Sequence, residues 1–166
     1  MVEQFPPAWH FRPKPEWQDY NGHMGDYAFG IAFTEALDEF LFAVGFDREY
    51  FPRTGDAIFT LETHLTFLRE IRTDEDLTIV TTLVDVDDKR IHVFQYLKNI
   101  DGAEMATYEA MLIHVRRSES SKAVPTAMPA EINQKLAGVL KQARRLPRPK
   151  QLGASIGFQR HNKRDS

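Results

Sequence analysis

Asp19-Tyr20-Asn21-Gly22-His23-Met24 brings a carboxylate, an amide, a glycine and an imidazole together in six residues. Asp, Asn and Gly are also common turn formers, so the same residues read as a turn into the next element. That element is a helical pattern starting at Asp26. A helix start leaves backbone N–H groups without intrahelical partners and carries partial positive charge, which suits a developing oxyanion. Gly22 lets a ligand approach the main chain without meeting a Cβ. Asp19, a few residues upstream, can activate water or attack directly at a carbonyl held by that helix start. The six histidines point to no metal. His10, His64, His92 and His114 fall on separate strand-like segments, and no two histidines share a ligand spacing.

The element that must present this motif is unusually aromatic. Phe29, Phe33, Ala36, Leu37, Phe40, Leu41 and Val44 recur at steps of three and four, with Glu35, Asp38 and Glu39 between them. The pattern predicts a helix over Asp26–Val44, with Asp26 complementing the dipole in the first turn and Gly45 as the stop. Before it, Pro6, Pro7, Pro13 and Pro15 around Trp9-His10-Phe11 predict an extended entry, with Trp9–Arg12 as an edge strand. After a loop through Pro52 and Gly55, strands are expected at Ile58–Arg69, Leu77–Asp85, Ile91–Ile100 and Ala103–Arg116. Asp87-Asp88 and Asp101-Gly102 make the tight connections between the last three. Such short links imply an antiparallel meander. Pro129 opens a second helix carrying Ile132, Leu136, Val139 and Leu140 on one face. The economical way to bury both patterns is an α+β fold, a five-stranded antiparallel sheet curled around the aromatic helix. One domain is expected over 1–145, including the C-terminal helix, followed by a basic, solvated and mobile tail over 146–166.

Composition narrows the function classes. The chain has 166 residues, 42% hydrophobic and 27% charged, which is the balance of one soluble globular domain. Lys+Arg 21 against Asp+Glu 24 gives a net charge of -3, so no general basic field draws it to nucleic acid or acidic lipid. Zero cysteines exclude disulfides, thiolate metal sites and a cysteine nucleophile. No apolar run approaches the ~20 residues of a membrane span. The start at Met1 to Pro7 lacks the basic and apolar regions of a signal peptide, so a cytoplasmic protein is expected.

With these elements in place, the sequence from about Trp9 to Arg117 resembles the hotdog-fold acyl-CoA thioesterases of the 4-hydroxybenzoyl-CoA thioesterase-like group. The resemblance rests on Asp19 to Met24 with Tyr27 just after, on Leu61-Glu62-Thr63-His64-Leu65-Thr66-Phe67-Leu68-Arg69-Glu70, and on Asp88-Lys89-Arg90-Ile91-His92. It departs from that group at Gly25-Asp26 and at Thr73-Asp74-Glu75-Asp76. The resemblance implies a hotdog fold, Asp19 as the catalytic carboxylate, and Asn21 and His23 orienting it, the water or the substrate. It further implies that Gly22 and the amides near Gly25, Asp26 and Tyr27 polarise the thioester carbonyl. Glu62 and His64, two apart on one strand face, would line the site of a second subunit. Lys89, Arg90, Arg116 and Arg117 would hold CoA phosphates. The substrate is then a small acyl-CoA, with no cofactor and no metal, and the assembly a homodimer, or a tetramer of such dimers, with sites at the interface.

The sequence is similar in particular to the thioesterases of carnitine breakdown, which act on betainyl-CoA. A trimethylammonium substrate calls for aromatic rings, and Trp17, Tyr20, Tyr27, Phe29 and Phe59 are candidates. Two other readings compete. A hotdog-fold enoyl-CoA hydratase also sets Asp, Asn and His before this helix, but there proline commonly follows the Asn and the His comes one residue later. The other is a hotdog module that binds an acyl thioester without turning it over.

Overall fold

A computed structural model of the chain describes residues 7–117 and 122–157. The N-terminal six residues, part of the Ser/Glu-rich stretch, and the end of the basic tail with Arg160, Lys163 and Arg164 lie outside the described residues. In chain order the elements are β1 (Trp9–Phe11), a 3-10 turn (Pro15–Trp17), α1 (Asp26–Val44), α2 (Tyr50–Thr54), β2 (Asp56–Phe67), β3 (Leu77–Val86), β4 (Arg90–Asn99), β5 (Glu104–Arg117), β6 (Ala123–Pro125) and α3 (Ala130–Ala143). All strand pairings are antiparallel, in the order β1-β3-β4-β5-β2. The expected five strands are all there. A sixth, β6, pairs with Val115–Arg117 of β5, beyond the point where β4 ends opposite Ile113. The loop expected through Pro52 contains α2, closed by Gly55 in the left-handed region at φ 74°.

The helix α1 has the bounds its periodicity predicts. It buries Ala28, Phe29, Ala32, Phe33, Ala36, Leu37, Phe40, Leu41 and Val44, a stripe wide enough to face a curved sheet. Burying each such Phe contributes roughly 1.5–3 kcal/mol, so the stripe dictates how α1 sits. Phe33 stacks on Tyr108 of β5 with ring centroids 5.1 Å apart. Phe29 meets Phe67 of β2 edge to face at 5.0 Å. The even-numbered residues of β5 therefore face α1, and Glu109 and Met111 face the other side of the sheet. α3 joins the same core through Ile132, Leu136, Val139 and Leu140. Gly45 lies where a Cβ would stand 3.2 Å from Ile132.

β2 carries a bulge. Ile58 and Thr60 pair with His114 and Leu112, but after Leu61 the register shifts, so that Thr63, Leu65 and Phe67 pair with Ala110, Tyr108 and Ala106. One inserted residue thus reverses which residues of β2 look at the helix. The first half of the tail, from Leu146 to Leu152, lies against Thr82, Val84 and Tyr96 of the sheet. The Gly153 N–H then donates to Glu109 Oε2 at 2.8 Å.

A polar cluster ties the far end of the sheet together. His114 is fully buried. Its Nδ1 donates to the Thr126 carbonyl at 2.8 Å, and its Nε2 is hydrogen-bonded with the Tyr50 hydroxyl at 2.9 Å. Burial pushes the Tyr50 phenol up, which keeps it a donor. Alongside, Arg116 grips Asp56 through two hydrogen bonds of 2.7 and 2.9 Å. That grip holds the Asp56 carboxyl below its ordinary range. A depressed carboxylate stabilises the fold above its unfolded-state pKa and loses that contribution as pH falls through the folded one. Asp56→Asn should therefore cost about 1 kcal/mol at pH 7. The gap from the parent should close as melting is measured below about pH 4; a gap independent of pH would mean the carboxylate charge is not what matters.

Candidate active site

Asp19 organises its own loop. Its N–H donates to the His23 carbonyl at 2.8 Å, and its carbonyl accepts from Gly22 N–H at 3.2 Å. Its Oδ1 accepts from the Asn21 and His23 amides at 2.8 and 3.1 Å. Gly22 makes this closure possible at φ 84°, a conformation that side chains with a Cβ rarely adopt. A Gln18–Met24 bridge closes the loop base. The turn and the reactive group are therefore one structure. The His23 amide foremost, then the Asn21 amide, holds the Asp19 carboxyl below the usual carboxylate range, so it is ionised throughout the neutral range.

At the helix start the three expected amides differ in what they can do. The Gly25 N–H donates to the Trp17 carbonyl at 2.8 Å, and the Tyr27 N–H donates to Asp26 Oδ1 at 2.7 Å. Among the described residues the Asp26 N–H has no such partner, which leaves it the open donor of the three. Gly25 is needed for a different reason than a ligand. A Cβ there would lie 2.7 Å from Cε1 of Tyr27. The Tyr27 ring folds back over Gly25, and its hydroxyl donates to the Glu16 carbonyl at 2.8 Å. It thereby pins the 3-10 turn against the helix.

Asp19, Asn21, His23 and Asp26 open onto a cleft of about 390 Å³ whose other walls are Met24, Phe29, Phe67, Leu68, Arg69 and Glu70. Met24 and Phe29 are buried and make an apolar floor. His23 Nε2 stands 3.6 Å from Glu70 Oε2. Sequence reasoning assigns no role to Phe67, Leu68, Arg69 or Glu70. The signal available for Phe67 is its apolar character at the end of a long strand, but the bulge at Leu61 is what turns it toward the cleft.

The remaining candidates lie elsewhere in the single chain. Glu62 and His64 are across the sheet from α1, beside Met111 and Glu109. They line a separate cavity of about 320 Å³ together with His92 and residues 153–155. There His92 pairs with Glu109 at 2.7 Å. Lys89, Arg90, Arg116 and Arg117 are at the opposite end of the sheet from Asp19. Phe67 pairs with Ala106 and Asp56 with Arg116, a separation of about 30 Å along β5 at ~3.3 Å per residue. Arg90 pairs with Asp87 at 2.6 Å, Arg116 with Asp56, and Arg117 lies over the rings of Phe51 and Phe59. Among the described residues no group of three or more His, Asp or Glu is arranged to hold a metal ion.

This sequence and fold have counterparts among known proteins. Residues 13–136 match the family model described as the thioesterase-like superfamily, and the chain belongs to that family. Within it, the chain is 33% identical over 146 residues to a betainyl-CoA thioesterase of Pseudomonas aeruginosa, covering 87% of this chain and 89% of that one. It is 36% identical over 113 residues to an L-carnitine dehydrogenase/betainyl-CoA thioesterase of Agrobacterium fabrum. That match takes in 68% of this chain but 23% of the relative, so the chain spans less than a quarter of that two-activity protein. Among solved structures, a hypothetical protein from Staphylococcus aureus in complex with CoA superimposes with a TM-score of 0.86 at 27% identity, covering 95% of this chain and 98% of that one.

The packing of Tyr27 on Gly25 gives a direct test. Gly25→Ala forces the ring away and should cost roughly 1–3 kcal/mol, the range for overpacking. Tyr27→Phe loses only the bond to Glu16, at about 1 kcal/mol. Equal melting temperatures for Gly25→Ala and the parent would show that the ring is not held there.

Proposed function

We propose that the chain hydrolyses acyl-CoA thioesters in the cytoplasm, releasing a free acid and the CoA thiol. The observation that carries this reading is the ionised Asp19 carboxylate at the wall of an apolar-floored cleft, beside the open Asp26 amide at the start of α1. The thioester carbonyl oxygen would take the Asp26 N–H and the helix dipole, worth roughly 3 kcal/mol for one well-placed donor in the transition state. Asp19 then either removes a proton from attacking water or attacks the carbonyl carbon itself, giving an anhydride that water opens. In both routes the carbon–sulfur bond breaks and the thiolate leaves to be protonated. His23 and Asn21, whose amides hold Asp19, orient it. The names of the relatives direct the acyl group toward betainyl, a short chain ending in trimethylammonium.

The assembly we propose follows from β2. It is a twelve-residue edge strand, exposed from Thr60 to Thr63, with Leu61 and Phe59 among the exposed apolar residues. Long open edges of this kind call for a partner. Pairing β2 with a second copy of itself, antiparallel, would set the Asp56 end of one strand beside the Phe67 end of the other. Arg117 of the partner subunit would then approach the Asp19 cleft from which this chain's own Arg117 is distant. In that arrangement CoA phosphates would meet Arg117 of the partner subunit in addition to this chain's own Arg69.

Steady-state thiol release from betainyl-, short-, medium- and aryl-CoA esters tests the reaction. Asp19→Asn keeps one acceptor oxygen for the loop amides, so melting should change little while kcat falls at least ~100-fold. Unchanged hydrolysis would move the role to another carboxylate, and water addition to an enoyl-CoA without thiol release would favour a hydratase. Because His23 N–H holds the Asp19 carboxyl low, the acid limb of kcat/KM should lie below about pH 4. For the assembly, Leu61→Lys places a charge in the middle of the β2 edge. The expected result is a shift from dimer to monomer in light scattering, together with a rise in KM; an active monomer would remove the shared site.

A further inference from the structure

The cleft has an unusual wall. Phe67 is apolar yet 51% exposed, and Phe29, which it meets at 86°, is buried beneath it. The accessible aromatic surface lining the cleft is therefore that of Phe67. Around it, within one chain, stand three carboxylates, Asp19, Asp26 and Glu70, against the guanidinium of Arg69. Asp19 and Asp26 are each tied to backbone amides. Glu70 is the least committed. Its side chain is 82% exposed, and its one ion pair among the described residues is the 3.6 Å approach of His23. A ring surface flanked by excess negative charge attracts a cation and repels an anion, and an uncharged group gains only the apolar contact.

The other rings suggested by the sequence are not available there. Trp17 is buried with Lys14 over it, and the Tyr27 ring lies over Gly25 and lines no part of the cleft. Phe59 lies at the other end of β2 under Arg117. Tyr20 is 97% exposed and lines no part of the cleft.

We propose that Phe67 and Glu70 select a positively charged acyl group, Phe67 through the face of its ring and Glu70 through its charge. This rests on the hydrolase reading above and assigns the residues that would discriminate within it. The two esters to compare are betainyl-CoA and 3,3-dimethylbutanoyl-CoA, which have the same shape and differ by a quaternary nitrogen in place of carbon. In the full chain, the ratio of their kcat/KM values should favour betainyl-CoA at least tenfold. Phe67→Leu keeps an apolar wall without a ring and should lower that ratio about tenfold, with Phe67→Tyr restoring it. Glu70→Gln should lower it severalfold. Raising the salt concentration should erode the parent ratio more than that of Glu70→Gln. A parent ratio near one, or Phe67→Leu slowing both esters alike, would overturn the assignment while leaving the hydrolase reading intact. No thiol release from either ester or from the wider panel would bring down the hydrolase reading and this inference with it.

Discussion

The aromatic stripe of α1 decides where everything else goes. A helix with phenylalanine at 29, 33 and 40 can hide those rings in one way only, by lying along the concave face of the sheet. Phe33 on Tyr108 and Phe29 on Phe67 then fix both its height and its direction. The start of the helix is thereby delivered to the Phe67 end of β2, and the loop carrying Asp19 arrives with it. The cleft is a by-product of the packing of the core: its floor is core, and its rim is the loop.

The loop shows how little separates a structural turn from a reactive one. Asp19 accepts from two amides through one oxygen, as many turn aspartates do. What differs is the setting, since this turn stands at a helix start and against a cavity. The amides that shape the loop also keep the carboxylate ionised. Stability of the loop and readiness of the charge have the same cause.

Much of this was legible beforehand, because it depends on local rules. The bounds of α1, the meander, the edge position of Trp9–Phe11 and the Asp19–Gly22 turn all follow from periodicity, proline and glycine. What was not legible depends on long-range placement. Glu62 and His64 do share a strand face, as their spacing implies, but only the register with Met111 and Glu109 reveals that it is the face away from α1. The Gly25 amide looks open in a sequence, and only the fold brings the Trp17 carbonyl to it. β6 is three exposed residues, too short for any pattern to announce.

The bulge at Leu61 has an implication for how such a pocket can diversify. Upstream of it β2 turns its even-numbered residues to the helix, and downstream its odd-numbered ones. Deleting Leu61 itself would leave the pairs on either side in place, so Phe67 would stay opposite Ala106 and inward. Keeping the residue while losing the bulge is different: the downstream half slides by one position, which sends Thr66 inward and Phe67 outward. A hydroxyl would then replace a ring in the lining with neither codon changed. Relatives built on this scaffold can therefore trade one chemical preference for another by a shift of register, a route that comparisons scored by amino-acid replacement alone would overlook.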